Sequence, residues 1–100
     1  MALTGKQRRH LRALGHSLKA VVQVGKDGAS REVVDACDKA LADHELIKVK
    51  IGQAADDGRH EIADALAAGA GAEIAQVLGK TVLLYRPRPQ DDERPRIKLP

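Results

Sequence analysis

The sequence predicts an α/β domain, a two-layer sandwich in which helices cover a four-stranded mixed sheet. The 100 residues, 43% of them hydrophobic and 31% charged, suit a single globular core. Apolar residues switch between helical and strand spacing along the chain, in the order α-β-α-β-α-β-β. Helical crossovers imply parallel strands, and this puts the second and third helices on one face of the sheet.

The first helix is predicted from Thr4, a residue type that caps helix N-termini, and from leucines at helical spacing. Leu11, Leu14 and Leu18 form one face, which we expect to be buried. Gly15 is expected to end this helix. The opposite arc carries the basic residues Arg8, Arg9, Arg12, His16 and Lys19.

A short strand is predicted at Ala20–Val24, because three of its five residues are valines. Two glycines, at positions 25 and 28, then break the strand. Ser30 is expected to cap the second helix. The buried stripe of that helix is predicted to be Val33, Cys37, Ala40, Leu41 and His44.

In the second strand, Leu46–Ile51, the side chains alternate between two faces, with Ile47, Val49 and Ile51 on one and Leu46, Lys48 and Lys50 on the other. Its apolar positions predict a half-buried strand, with Lys48 and Lys50 on an open, water-facing side of the sheet. Asp56 or Asp57 is expected to cap the third helix, and Gly69 and Gly71 to stop it. The last two strands, Glu73–Leu78 and Thr81–Tyr85, are joined by a predicted two-residue hairpin turn.

The C-terminal segment differs in composition from the rest of the chain. All four prolines follow Arg86, in a charged stretch with few apolar residues. We therefore predict a folded domain over residues 1–86 and a flexible tail over residues 87–100.

Composition excludes several classes of protein. No apolar run reaches the roughly 18 residues that cross a bilayer, and charge begins where a secretory signal would be apolar. The lone Cys37 allows no internal disulfide and no cysteine zinc site, and indicates a reducing compartment. We expect a cytoplasmic protein with no membrane or small-molecule partner. Scattered histidines and the lack of a nucleotide-binding fingerprint predict no catalysis, metal or cofactor.

The net charge of +3 is unevenly distributed. The first 26 residues contain six basic residues and no acid, whereas residues 27–47 and 51–79 each sum to −4. Such segregation favours a polyanionic partner over an ordinary solvated surface. Lys48 and Lys50 either contact that partner or simply protect an open sheet.

Residues 25–28, GKDG, lie between a strand and a helix. Glycines around a basic residue let backbone N–H groups approach a phosphate, as in RNA-binding GXXG loops. The alternative is an ordinary turn in which the glycines supply positive φ. The basic first helix, which we expect beside this loop, favours phosphate contact. Because Tyr85 is the only aromatic residue, base stacking cannot supply most of the affinity, and a structured RNA read by shape is favoured.

Four segments together resemble the CRM domain, whose stand-alone bacterial members are the YhbY proteins. They are residues 3–9 (LTGKQRR), 21–28 (VVQVGKDG), 44–51 (HELIKVKI) and 76–87 (QVLGKTVLLYRP). The resemblance implies the α-β-α-β-α-β-β sandwich, similar to the C-terminal domain of bacterial translation initiation factor three. It also implies RNA-binding positions at Lys6, Arg8, Arg9, Arg12, Gly25, Lys26, Asp27 and Gly28.

We expect from this a non-catalytic protein that binds rRNA in precursors of the large ribosomal subunit and assists assembly. Lys48 and Lys50 complete the expected RNA-binding set. The alternative is a protein-interaction adaptor that docks a basic ribosomal protein through its acidic helices. A duplex-DNA binder is disfavoured, because no helix-turn-helix spacing is visible.

Overall fold

Three helices and four strands follow one another in the predicted order, in a computed structural model that describes residues 3–53 and 58–100. The sheet has the strand order β1-β2-β4-β3, with β1 parallel to β2 and β4 antiparallel to both of its neighbours. The α/β class with a four-stranded mixed sheet is therefore confirmed. The elements are α1 (Gly5–Gly15), β1 (Ala20–Val24), α2 (Arg31–His44), β2 (Leu46–Ile51), α3 (Arg59–Ala70), β3 (Glu73–Leu78) and β4 (Thr81–Tyr85).

The helix ends largely follow the predicted caps. The Thr4 hydroxyl accepts a hydrogen bond from the Gln7 N–H at 3.1 Å, and the Gln7 side chain accepts one from the Thr4 N–H. At the start of α2 the Ser30 hydroxyl accepts a hydrogen bond from the Val33 N–H at 3.4 Å. Helix α3 begins after Gly58, which makes no side-chain cap, and ends at Gly71 in the left-handed region. The predicted caps Asp56 and Asp57 lie outside the described residues.

Helices α2 and α3 cover one face of the sheet, as the crossovers predict. Their buried residues pack on the strand residues that alternation placed inside, including Ile47, Val49 and Ile51. Cys37 and Leu41 of α2 are buried here, but His44 is exposed. The predicted α2 stripe therefore stops one turn early, because α2 ends at His44 beyond the margin of this core.

The opposite face is not open along its whole length, contrary to the prediction. Helix α1 packs on β2, β3 and β4 there, and Leu11 is fully buried against Leu46, Leu83 and Tyr85. At Gly15 an added Cβ would lie 2.5 Å from Leu83 Cδ1, so this glycine lets the helix end approach β4 closely. Lys48 is half-buried at the margin of the covered region, and Lys50 is exposed.

The predicted burial of Leu14 and Leu18 is wrong. They are 40% and 37% exposed, respectively. Helix α1 ends at Gly15, so Leu18 no longer follows the helical face, and Leu14 lies at the edge of the contact with the sheet.

Residues 86–100 contain no helix or strand, yet they lie against the domain. The side chains of Ile97 and Leu99 pack with the core under α1. The buried Glu45 carboxylate accepts hydrogen bonds from the N–H groups of Arg88 and Ile97, both at 2.6 Å. The flexibility of the tail stays a prediction, and these contacts oppose it.

Candidate nucleic-acid interface

A groove beside α1 gathers arginine, histidine and lysine side chains over the sheet. Arg9, Arg12 and His16 point from one side of the helix, because positions separated by three and four residues share a helix face. Lys48 of β2 lies opposite them. Among the described residues that line this groove, none is acidic. We call it the basic groove; its remaining lining residues are Ala13, Gly15, Gln76, Leu78, Thr81 and Leu83.

Lys50 extends the basic groove along β2. It lies two residues beyond Lys48 on the same side of the strand, a step of about 6–7 Å at the usual rise of a strand. Its backbone partners are Gln23 of β1 and Thr81 of β4. The two lysines therefore form a row that leads from α1 toward the end of β1.

The loop over residues 25–28 follows that end of β1. The Gly28 N–H donates to the Gly25 carbonyl at 3.0 Å, and the Ser30 N–H donates to the Gly28 carbonyl at 2.9 Å. Gly28 has a φ of 63°, so the turn itself requires glycine here. Lys26 and Asp27 are exposed at the tip, directly before the N-terminus of α2.

Gly25 has no comparable structural requirement. Its φ lies outside the left-handed region, and a Cβ at this position would meet nothing within 4 Å. The backbone of Gly25 is exposed. Gly52, in contrast, needs to be glycine because a Cβ would lie 2.9 Å from the Val24 carbonyl. The positive φ thus explains why residue 28 is glycine, but neither φ nor a close contact explains why residue 25 is glycine.

The structure brings some predicted site residues together and leaves others apart. Arg9, Arg12 and Lys48 share the basic groove. The expectation that α1 lies directly beside the loop is not met, because α1 packs on β2, β3 and β4 while the loop ends β1, at the opposite edge. Lys50 lies between them. Arg8 does not line the basic groove, because it donates to the Ile74 carbonyl of β3 at 3.3 Å, and Lys6 is exposed near the helix start.

Arginines of the C-terminal segment are engaged within the fold. The Arg86 guanidinium binds the Asp38 carboxylate at 2.7 Å and the Ala70 carbonyl at 2.7 Å. Arg88 and Arg94 donate to carbonyls in the last turn of α2. These contacts satisfy carbonyls left free at the helix ends. The arginines of the basic groove have no such role, which leaves their guanidinium groups available to a ligand.

The two faces of the molecule carry opposite charge. Helix α1 and its flanking residues carry bases without acids. Helices α2 and α3, on the other face, expose the carboxylates of Glu32, Asp35, Asp38, Asp43, Glu61 and Asp64. A small domain with segregated charge directs a polyanion to its basic side.

Two groups singled out by the sequence are unsuited to chemistry here. Cys37 is buried, and burial raises the pKa of its thiol to about 11, so little reactive thiolate forms at neutral pH. Tyr85 is also buried, and its hydroxyl pKa is raised first by burial and secondly by the Glu45 carboxylate. Within residues 3–53 and 58–100, no group of three metal-ligating side chains is assembled. The helices of the same residues are too short or too polar to cross a membrane.

Sequence reasoning missed Gln76 and Thr81, which line the basic groove. Gln76 interrupts the apolar run that follows Glu73 in β3, and that interruption is the signal that could have identified it. Its partner across the sheet, Leu83, faces α1.

A mixed sheet with acidic helices on one face and a cationic helix on the other defines a small binding domain. The CRS1/YhbY (CRM) domain family matches residues 3–86, and the chain belongs to this family, as its motifs predict.

Relatives of nearly the same length are similar along the whole chain. A protein named probable RNA-binding protein YqeI, from Bacillus subtilis, is 37% identical over 98% of this chain and 99% of its own length. A probable RNA-binding protein from Pseudomonas aeruginosa is 39% identical over 93% of this chain and 89% of its own. The solution structure of a hypothetical protein from Staphylococcus aureus has a TM-score of 0.81 and 36% identity, and the match covers 99% of this chain and 100% of that one.

Proposed function

We propose that this protein binds structured RNA in the cytoplasm, specifically rRNA in precursors of the large ribosomal subunit, and assists assembly without catalysis. One observation carries the proposal: the basic groove combines Arg9, Arg12 and Lys48 without an acidic lining residue among those described. The relatives named RNA-binding proteins support the general part of it. The large-subunit target rests on the family resemblance.

The proposed contacts are mainly to phosphates. Guanidinium groups of α1 would bind phosphate oxygens by charge-assisted hydrogen bonds, and Lys48 and Lys50 would continue the row. At the loop, the exposed backbone around Gly25 would admit a phosphate to the N-terminus of α2. Tyr85 is buried, so the one aromatic ring of the chain is withheld from base stacking. Recognition by RNA shape and backbone position follows from this set of contacts.

The acidic face supports the second candidate, an adaptor that docks a basic ribosomal protein. Six exposed carboxylates of α2 and α3 lie away from the basic groove. The two functions make opposite demands, because only RNA binding needs the α1 face. Naked RNA, offered without any protein partner, therefore separates them.

The test is binding of the purified protein to a folded large-subunit rRNA fragment over a series of salt concentrations. If about five basic residues contact phosphates, log K against log salt should slope by roughly −3 to −4. A small-subunit fragment of equal length is the control for target choice, and we expect it to bind less tightly. A slope near zero, or binding only after a ribosomal protein is added, would contradict the proposal.

A further inference from the structure

An apolar groove lies on the other side of Lys48 from the basic groove. It is lined by Leu14, Leu18 and Val21, which are 40%, 37% and 54% exposed. With Leu78, these are the large apolar side chains that the described residues leave exposed. Leu46 and Ile97 complete the apolar walls around a volume of about 420 Å³. Three exposed aliphatic residues that share one concave site mark a binding surface more strongly than the same residues scattered singly would.

The rim of the apolar groove is cationic. Lys19 and Lys48 line it, together with the exposed His44. Lys48 lines the basic groove as well, so the two grooves meet at this side chain. A ligand that crosses from one to the other needs anionic groups near Lys48 and a flat or compact apolar part beyond it.

We propose that the apolar groove receives the base of an unpaired nucleotide in the bound RNA. This inference rests on the proposed function and deepens it, because it specifies a structured RNA with an extruded base. The base would lie between the aliphatic side chains of Leu14, Leu18 and Val21. Its flanking phosphates would bind Lys19 and Lys48.

The size and chemistry of the groove favour a base over a protein partner. Small-molecule sites occupy roughly 300–1,000 Å³, and the groove lies near the lower end of that range. A stable protein interface needs about 800 Å² from each partner. Bases extruded from a helix are held between aromatic or apolar side chains. Here aliphatic side chains serve, because the sequence has no Phe or Trp and its one Tyr is buried.

The tail fixes one wall of the groove. The Ile97 N–H donates to the Glu45 carboxylate at 2.6 Å, and the Ile97 side chain packs with the core under α1. The groove is therefore formed before RNA arrives, which limits the ordering cost of binding.

The experiment compares three RNA hairpins that differ at one position: a single-nucleotide bulge, the same bulge with an abasic nucleotide, and a fully paired stem. We expect the parent protein to bind the abasic hairpin about five to ten times less tightly than the bulged one, near the low end of single-base contacts. The Leu14→Ser/Leu18→Ser variant should bind both bulged hairpins equally. Because both leucines are partly exposed, melting followed by circular dichroism should show a folded variant.

A second variant and a control keep the test decisive. Val21→Ser, at the most exposed of the three positions, should reduce the ratio of the affinity for the bulged hairpin to that for the abasic hairpin. We expect this variant to stay folded. Ala36→Ser changes an exposed apolar side chain of α2, outside both the apolar groove and the basic groove, and should leave the ratio of the two affinities intact. An unchanged ratio in both groove variants would overturn the inference and assign the groove to a protein partner.

The test also separates this inference from the function on which it rests. If the parent binds all three hairpins equally and still shows a steep salt dependence, the base site is refuted and the proposed RNA binding stands. If none of the hairpins and no rRNA fragment binds, both fail.

Discussion

At the scale of single residues, Glu45 is a charged residue buried within the fold, 1% exposed. Its carboxylate joins the N–H groups of Arg88 and Ile97, while its own carbonyl accepts the Arg86 N–H at 2.8 Å. Its φ of 61° also makes it the one non-glycine residue with positive φ among those described. One side chain thus satisfies two backbone donors that would otherwise be buried without partners.

Replacing Glu45 by Gln tests this role. The amide keeps the size of the side chain but removes the charge, and its NH₂ group replaces one of the two acceptor oxygens, so one of the two N–H groups loses its partner. We expect the free energy of unfolding in urea to fall by about 2 kcal/mol or more. Asp43→Asn, a neighbouring exposed carboxylate with a 3.6 Å pair to Arg94, is the matched control and should change it by less than about 0.5 kcal/mol. If both substitutions lower the free energy of unfolding equally, the buried hydrogen bonds of Glu45 contribute no more to stability than the exposed ion pair of Asp43.

Substitutions at Gly28 separate loop geometry from charge. Gly28→Asp should lower RNA affinity more than Lys26→Ala, because it adds both bulk and a negative charge where a phosphate is proposed to approach. Gly28→Asn keeps most of the bulk without the charge and should have an intermediate effect on affinity.

The φ of 63° at Gly28 supplies the control for this comparison. Asp and Asn should both lose roughly 1 kcal/mol of stability, measured by thermal melting, since both are strained there to a similar degree. If folded Gly28→Asp protein binds rRNA as tightly as the parent, the loop is only a turn between β1 and α2 and does not contact phosphate.

At the scale of elements, α1 is the main expected RNA contact. Arg9→Gln/Arg12→Gln should weaken binding to every RNA sequence and reduce the magnitude of the salt slope by about 1.5–2, because two phosphate contacts are lost. Arg8 is left in place, since its guanidinium binds the Ile74 carbonyl and its loss would disturb the packing of α1.

The matched control removes two positive charges from the acidic face. Arg31 and Lys39 of α2 are exposed, and Arg31→Gln/Lys39→Gln lowers the net charge by the same amount. This variant should retain the parent salt slope. A slope that falls equally in both pairs would mean that net charge, and not the basic groove, determines binding.

The elements differ in how far sequence could predict them. Strands β2 and β4 and the caps Thr4 and Ser30 follow from local chemistry and were predicted correctly. Leu14 and Leu18 were not, because helical spacing says which residues share a face but not how far the neighbouring sheet extends beneath it. Gly15 ends α1 as expected, yet its close approach to Leu83 depends on a strand nearly seventy residues away.

At the scale of the whole molecule, the question is whether residues 87–100 belong to the folded domain. Removing residues 87–100 takes both partners from the Glu45 carboxylate and the contacts of Ile97 and Leu99 from the core. We expect the truncated protein to lose about 3 kcal/mol or more of unfolding free energy in urea. A truncated protein as stable as the parent would confirm the boundary at residue 86 and the flexible tail that the sequence predicts.

A second substitution identifies the cause of that loss. In the truncated protein the Glu45 carboxylate lacks both of these donors, so Glu45→Gln should be neutral or stabilising there, although it destabilises the full chain. If Glu45→Gln lowers the free energy of unfolding in both the truncated and the full-length protein, the role assigned to Glu45 is contradicted.

Long-range pairing also explains what sequence could not predict about the site. The separation of basic and acidic segments predicts a charged face, and the segments do lie on opposite sides of the sheet. However, Arg12 and Lys48 line the same groove only because of the way α1 crosses the sheet. The position of Ile97 in the wall of the apolar groove depends on its hydrogen bond to Glu45. Proline and charge in the tail predict flexibility from composition alone, and composition does not include tertiary bonds such as those to Glu45.

The hydrogen bond between Glu45 and Ile97 can form only late in the synthesis of the protein. Fifty-two positions separate them, so at about 5–20 residues per second Ile97 is added roughly 3–10 seconds after Glu45. Until Ile97 is added, the nascent chain cannot bury this carboxylate with both of its partners. The α1 side of the core is therefore completed last, and with it the Ile97 wall of the apolar groove, so a chain still being translated lacks the finished groove.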